Sequence, residues 1–142
     1  DENGLPKTDS LLKIFSKVTS ILRSGKAVSA YTPTIGGVAE AVMKMAFGNG
    51  LGFEYNKNLD KNAIFGYNYG SFLLEVTEDI DEGILIGTVT DNGKISLGSE
   101  EINLAELSDI YENKLESVFK CNIKDSNKRR FAIRNNNLSS II

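Results

Sequence analysis

The chain contains no histidine and no tryptophan, only one cysteine and only two prolines in 142 residues. Without histidine the usual general base, the Ser-His-Asp and Cys-His arrangements and the commonest metal ligand are excluded. A lone cysteine, Cys121, excludes an intramolecular disulfide and any multi-cysteine zinc or iron-sulfur site. A reducing cytoplasm is the simplest compartment for such a chain. There is no apolar run of the roughly 20 residues a membrane-spanning helix needs. The opening Asp-Glu-Asn-Gly has neither a basic region nor an apolar one behind it, so no secretory signal is expected. Any chemistry must come from backbone amides, hydroxyls, carboxylates or lysine.

What is present has the balance of a globular domain: 41% hydrophobic and 25% charged residues. A chain of this size buries roughly 68–70% of its unfolded surface, enough for one core. Charge is uneven. Residues 1–119 hold ten Lys/Arg against eighteen Asp/Glu, a net of −8, whereas 120–142 hold six against one, a net of +5. The acidic body argues against nucleic acid as a partner. The basic end, with Lys120, Lys124, Lys128, Arg129, Arg130 and Arg134, lacks interleaved aromatics and is rich in Asn and Ser. Residues 120–142 are therefore expected to be a solvated linker or tail, and 1–119 the domain.

Leu11, Leu12, Ile14, Phe15, Val18, Ile21 and Leu22 fall at helical spacing between a Thr8-Asp9 cap and Gly25, which predicts an amphipathic helix. Ala27–Tyr31 is β-branched and aromatic and ends at Thr32-Pro33-Thr34, which predicts a strand. A second helix is expected from Gly37 to about Phe47 with Val38, Ala41, Val42 and Met45 as its core stripe, stopped by Gly48-Asn49-Gly50. Strands are expected at Leu51–Tyr55, Ser71–Val76, Ile84–Thr90 and Lys94–Leu97, with Asp91-Asn92-Gly93 as a hairpin turn. Asn103-x-x-Glu106 opens a last helix carrying Leu104, Leu107, Ile110, Leu115, Val118 and Phe119. The order implies an α+β fold, a mixed or antiparallel sheet layered with helices.

The strongest constellation is the strand, the Pro/Thr turn and the helix opening at Gly36-Gly37. Helix starts leave unpaired amides and a partial positive charge, and glycine lets an anion approach the backbone. Thr34, Ile35, Gly36 and Gly37 are thus candidates for holding a ligand phosphate, with Thr32, Lys44 and Asn49 as further contacts. The same glycines serve tight helix-to-sheet packing equally well, and Glu40 stands four residues before Lys44 in the favourable order for a helical ion pair. The form Thr-Pro-Thr-Ile-Gly-Gly is neither a P-loop nor a dinucleotide fingerprint. No metal-ligand set and no catalytic residue is expected.

Val28-Ser29-Ala30-Tyr31, Gly36-Gly37-Val38-Ala39-Glu40-Ala41, Lys44-Met45-Ala46-Phe47 and Gly48-Asn49-Gly50-Leu51-Gly52 together resemble the carboxy-terminal domain of the aminoimidazole ribonucleotide synthetase (AIR synthetase) superfamily. Within it they look most like the last such domain of the phosphoribosylformylglycinamidine synthases. The likeness spans about residues 6–119. It implies a cytoplasmic purine-biosynthesis ligase that uses ATP and Mg, with ammonia from a glutamine amidotransferase domain. It further implies two partners on the same enzyme, an amino-terminal AIR synthetase-like domain and a glutaminase, with no turnover and no tightly bound cofactor expected for this chain alone. Many relatives read His-Asp-x-Ser-Asp-Gly-Gly-Leu at the turn. Here Thr34 keeps the hydroxyl, whereas Thr32 and Ile35 replace both acids, which removes metal-ligand chemistry from that position. The resemblance leaves two alternatives open: another superfamily member, of the selenophosphate synthetase or thiamine monophosphate kinase type, or a degenerate structural module.

Three other features have plain explanations. Glu78, Asp79, Asp81 and Glu82 lack EF-hand spacing and are expected to be a solvated acidic loop. Tyr67 and Tyr69, with Phe65 and Phe72, could stack on a base but are expected to pack the start of a strand into the core. Cys121 has no histidine to activate it and no nucleophile elbow around it.

Overall fold

In a computed structural model, which describes residues 1–3, 5–120 and 140–141, the first helix, α1, runs Thr8–Arg23. Lys7 occupies its cap position, so Thr8 and Asp9 lie inside the first turn, and Gly25 follows the last turn with φ +78°. Strand β1 is Ala27–Tyr31, and α2 is Gly37–Asn49. Helix α2 buries Gly37, Val38, Ala41 and Val42, the one-sided stripe its spacing predicts. It ends on Gly50, whose φ of +67° lets its amide return to the Ala46 carbonyl at 2.9 Å.

The strands that follow are shorter than the sequence suggests: β2 is Gly52–Tyr55, β3 Leu73–Val76 and β4 Gly87–Thr90. Between β2 and β3 the chain inserts a one-turn helix, α3, at Lys61–Phe65. Strand β5 is Lys94–Leu97, followed by β6 at Glu100–Asn103, helix α4 at Leu104–Asn113 and β7 at Ser140–Ile141. The chain is α+β: one seven-stranded sheet in the order β1-β3-β7-β4-β2-β5-β6, mixed because β2 and β5 are parallel and every other pair is antiparallel.

The expected hairpin at Asp91-Asn92-Gly93 is absent. β4 and β5 lie on opposite sides of β2, so this loop arches over the start of β2 instead of pairing its flanks. Asn92 shapes the arch by accepting from the Thr90 hydroxyl and the Lys94 amide, both at 2.9 Å. A Cβ on Gly52 would run into the Asn92 side chain, which is why the strand beneath begins with glycine. The true hairpin joins β5 to β6 through Gly98-Ser99, with φ +63° at Gly98.

Alternate residues of β3 face opposite ways, so Leu73 joins one core and Leu74 and Val76 another. The larger core lies under α2 and α3 and is built on Phe53, Tyr55, Val42, Ile64, Val89 and Ile141. The smaller one, Ala27, Leu74 and Val76, is approached by Val18 and Ile21 of α1. Yet no residue of α1 is buried, and Phe15 reaches the body through an edge-on contact with Phe72 at 5.7 Å. Between α1, β3 and the loop before β4 runs an apolar groove of about 430 Å³, lined by Val18, Ile21, Leu74, Ile80 and Ile86.

One boundary changes. The last helix stops at Asn113, leaving Leu115, Val118 and Phe119 outside it and exposed. Beyond the expected division at 119/120, Ile141 is 4% exposed and lies in the main core. The rest of the expected tail, including Cys121 and the basic residues from Lys124 to Arg134, lies outside the described residues. Among the described residues no helix is long and apolar enough to cross a membrane.

Candidate functional site

The turn after β1 folds as the spacing of its breakers demands. Pro33 is buried, and Thr34 and Gly37 close a tight bridge in which the Gly37 amide donates to the Thr34 carbonyl at 3.0 Å. Gly36 caps α2, and Gly37 takes φ +64°, a conformation that disfavours any residue with a Cβ. Ile35 projects from the turn, 74% exposed.

The acceptor at this helix start comes from the chain itself. Glu40 bends back so that its Oε2 accepts from the Thr34 hydroxyl at 2.7 Å and the Gly36 amide at 2.9 Å. Its Oε1 accepts from the Lys44 ammonium at 2.5 Å. Three donors around one carboxylate favour its charged form. The Lys44, Thr34 and Gly36 hydrogen bonds, in that order, bring the Glu40 pKa from 4.5 down to about 2. The same pairing raises the Lys44 pKa above its ordinary value. The Lys44 ammonium also stands 5.8 Å from the centroid of the Tyr111 ring on α4, and that ring in turn meets Phe47 at 5.5 Å.

The structure therefore brings Thr34, Gly36, Glu40 and Lys44 together. Thr32 is exposed beside them with no hydrogen bond of its own among the described residues. Asn49 is not part of this group: it is the last residue of α2, about 18 Å along the helix from Gly37 at 1.5 Å per residue. Glu40, the centre of the cluster, is the residue the phosphate reading left out of the site. The signal was present in the Thr-x-Gly-x-x-x-Glu spacing, since a carboxylate one turn into a helix can reach back to its own cap.

The two glycines have different neighbours. A Cβ on Gly36 would lie 2.5 Å from Glu40 Cβ, so this position is kept bare by the carboxylate's return path. A Cβ on Gly37 would lie 2.6 Å from the Gly66 carbonyl oxygen and 2.9 Å from that of Ile64. Gly37 thus seats α2 against the end of α3, a helix, and not against the sheet that the packing reading of these glycines named. No protein-family model and no solved structure matches the chain.

Next to this contact the aromatic loop departs from expectation. Phe65, Tyr67 and Tyr69 are 65%, 75% and 67% exposed, so they do not enter the core. The Tyr67 and Tyr69 rings lie nearly parallel, 7° apart with centroids at 5.9 Å. Asn68 fixes the loop by donating to the Gly66 carbonyl at 3.0 Å, and Ser71 donates to the Asn68 carbonyl at 2.6 Å. In the acidic loop Glu78 pairs with Lys26 and Glu82 with Lys17, while among the described residues no group of three His, Cys, Asp or Glu could hold a metal ion.

Proposed function

We propose that this chain is the carboxy-terminal synthetase-fold domain of a phosphoribosylformylglycinamidine synthase. In such an enzyme ATP converts the amide oxygen of formylglycinamide ribonucleotide to an iminophosphate, and ammonia released from glutamine displaces the phosphate. The observation that carries the reading is the convergence of the Thr34 hydroxyl and the Gly36 amide on one anionic oxygen at the start of α2. The Glu40 carboxylate stands where an oxygen of a ligand phosphate would stand. The part assigned to this chain is to hold that phosphate through Thr34, Gly36 and Lys44 after Glu40 has swung aside. Mg is held by acids of the partner domain, since Thr32 and Ile35 supply none here.

A second reading has an observation in its favour. Glu40 already satisfies the donors of the turn, and Gly37 is accounted for by its seat on α3, as in a domain kept for assembly without a ligand. Titration of the enzyme assembled with its amino-terminal domain separates the two, using formylglycinamide ribonucleotide and Mg-ATP as probes. If the turn holds phosphate, Glu40→Gln, which weakens the internal competitor, tightens one of the two ligands, and Thr34→Val loosens the same one. Unchanged affinities in both variants end the phosphate reading and leave the structural module. A gene lacking a glutaminase region would instead point to another enzyme of the AIR synthetase superfamily.

A further inference from the structure

Asn-Gly occurs three times in the chain, at 3–4, 49–50 and 92–93. A glycine after asparagine has no Cβ to shield its peptide nitrogen, which can attack the asparagine side-chain amide and close a succinimide ring. In a folded protein the attack needs a peptide nitrogen that is not already hydrogen-bonded, a side chain folded towards it, and a carbonyl oxygen able to take up negative charge. Asn49-Gly50 fails on the first two. Asn49 closes α2 in helical backbone, and the Gly50 amide is held by the Ala46 carbonyl at 2.9 Å. Gly4 of the first pair lies outside the described residues.

Asn92-Gly93 meets all three conditions. Asn92 is exposed in the arch between β4 and β5, and the Gly93 amide donates to no acceptor among the described residues. A Cβ built on Gly93 would meet nothing within 4 Å, so the space around this peptide is open. Asn92 Oδ1 accepts from the Lys94 amide, two residues on, at 2.9 Å, closing a turn that folds the side-chain amide over the Asn92-Gly93 peptide. The same oxygen accepts from the Thr90 hydroxyl at 2.9 Å. Two donors converging on one carbonyl oxygen are the arrangement that stabilises the oxyanion of an acyl-transfer intermediate.

We propose that Asn92-Gly93 is a self-modification site, at which the folded arch promotes deamidation of Asn92 with water as the only co-reactant. The Gly93 nitrogen gives up its proton and bonds to Asn92 Cγ, and the charge that develops on Oδ1 faces Thr90 and Lys94. The Cγ–Nδ2 bond then breaks, and Nδ2 leaves as ammonia with the proton that Gly93 lost. Water opens the succinimide at either carbonyl, giving aspartate, or isoaspartate in which the main chain runs through Cβ and Cγ. Either product adds one negative charge to a chain whose net charge is −3. Isoaspartate also lengthens the backbone of the arch directly over Gly52, where a Cβ would already collide with the Asn92 side chain. The entry of β2 between β4 and β5 is thus the part of the sheet that the modification disturbs.

Peptide mass spectrometry of the full chain tests this. The protein is incubated in mildly alkaline buffer, both folded and unfolded in guanidinium chloride, and then digested with trypsin. Residues 45–57 and 62–94 are tryptic peptides that carry Asn49 and Asn92 separately, and fragment ions locate the amide-to-acid mass shift. In the unfolded chain both asparagines convert. In the folded chain conversion of Asn49 is expected to fall several-fold below its unfolded rate, whereas Asn92 continues to convert. Thr90→Val removes one donor to Oδ1 and keeps a β-branched strand residue. It is expected to slow Asn92 several-fold in the folded chain and to leave the unfolded rate unchanged, with circular dichroism confirming that the variant is folded. Protection of Asn92 as complete as that of Asn49, equal conversion of the two in the folded chain, or a folded Thr90→Val protein that converts at the parent rate overturns the proposal.

Discussion

Thr34 and Glu40, six residues apart, close a loop in which the threonine hydroxyl donates to the carboxylate that caps its own helix. Because that carboxylate also accepts from Gly36 and Lys44, its pKa falls from 4.5 to about 2. A lowered folded-state pKa contributes stability that is complete above the unfolded value and lost as pH falls through the folded one. Glu40→Gln is therefore expected to cost about 1–2 kcal/mol from pH 5 to 9, given a side chain only 24% exposed. The gap between the two proteins should close on approach to pH 2, as read by urea unfolding at each pH. A gap that does not change between pH 6 and pH 2.5 would show that the carboxylate charge is not what the turn uses.

How much of this was legible beforehand depends on how local the signal is. Ala27–Tyr31, the α2 stripe and the Asn103 cap follow from neighbours in sequence, and all three stand where their patterns put them. The Asp91-Asn92-Gly93 turn also carries a local signal, but pairing is decided by β2 entering between the two strands it was expected to join. Tyr67 and Tyr69 were assigned to the core by residue type, whereas the Asn68 and Ser71 hydrogen bonds hold their loop outside it. Strand β7 has no pattern of its own in an Asn/Ser-rich stretch; only β3 and β4 give Ser140-Ile141 a place. Lys44's partner was readable from helix spacing. The Thr-x-Gly-x-x-x-Glu spacing permits Glu40 to reach back to the turn as well, and the fold shows that it does so through the Thr34 hydroxyl and the Gly36 amide.

The glycines of α2 separate packing from backbone conformation. Gly37 and Gly50 both have positive φ, at +64° and +67°, but a Cβ on Gly37 meets the carbonyl oxygens of Ile64 in α3 and of Gly66 just after it, while one on Gly50 meets nothing within 4 Å. Gly50→Ala should cost about 1 kcal/mol, the conformational share alone, and Gly37→Ala about 2–4 kcal/mol. Equal costs in chemical denaturation would place the importance of Gly37 in its φ and not in its seat on α3. The result also bears on ligand work: Gly37→Ala disturbs α3 whatever the turn binds, so Thr34 and Glu40 are the informative positions.

Asn103 caps α4 by accepting from the Ala105 amide at 2.9 Å. Asn103→Ala should cost about 0.5–2 kcal/mol. The loss should be concentrated in α4 and in its Tyr111 contact with Phe47, since α4 buries only Leu104. Hydrogen exchange is the measurement that resolves this, with faster exchange in residues 105–113 and unchanged protection in β2 and β4. Uniform loss of protection would mean that α4 unfolds only with the whole domain.

Ile141 ties the far end of the sequence to the centre of the sheet, and its side chain rests among Val42, Phe53 and Val89 in the main core. Truncating a buried isoleucine removes both its transfer free energy and the packing of the space it filled, which places Ile141→Ala at about 2–4 kcal/mol. Leu115→Ala supplies the control, because Leu115 is equally apolar but 64% exposed, and it should shift the urea midpoint by less than about 0.5 kcal/mol in equivalent stability. A two-residue strand that bridges two halves of a sheet also predicts a change in cooperativity. With Ile141 truncated, β3 and β4 lose the strand that joins them, so β1-β3 should exchange its amides before β4-β2-β5 does, whereas in the parent chain the two halves open together. Simultaneous opening in both proteins would mean that α2, packed above both halves, and not β7, is what couples them.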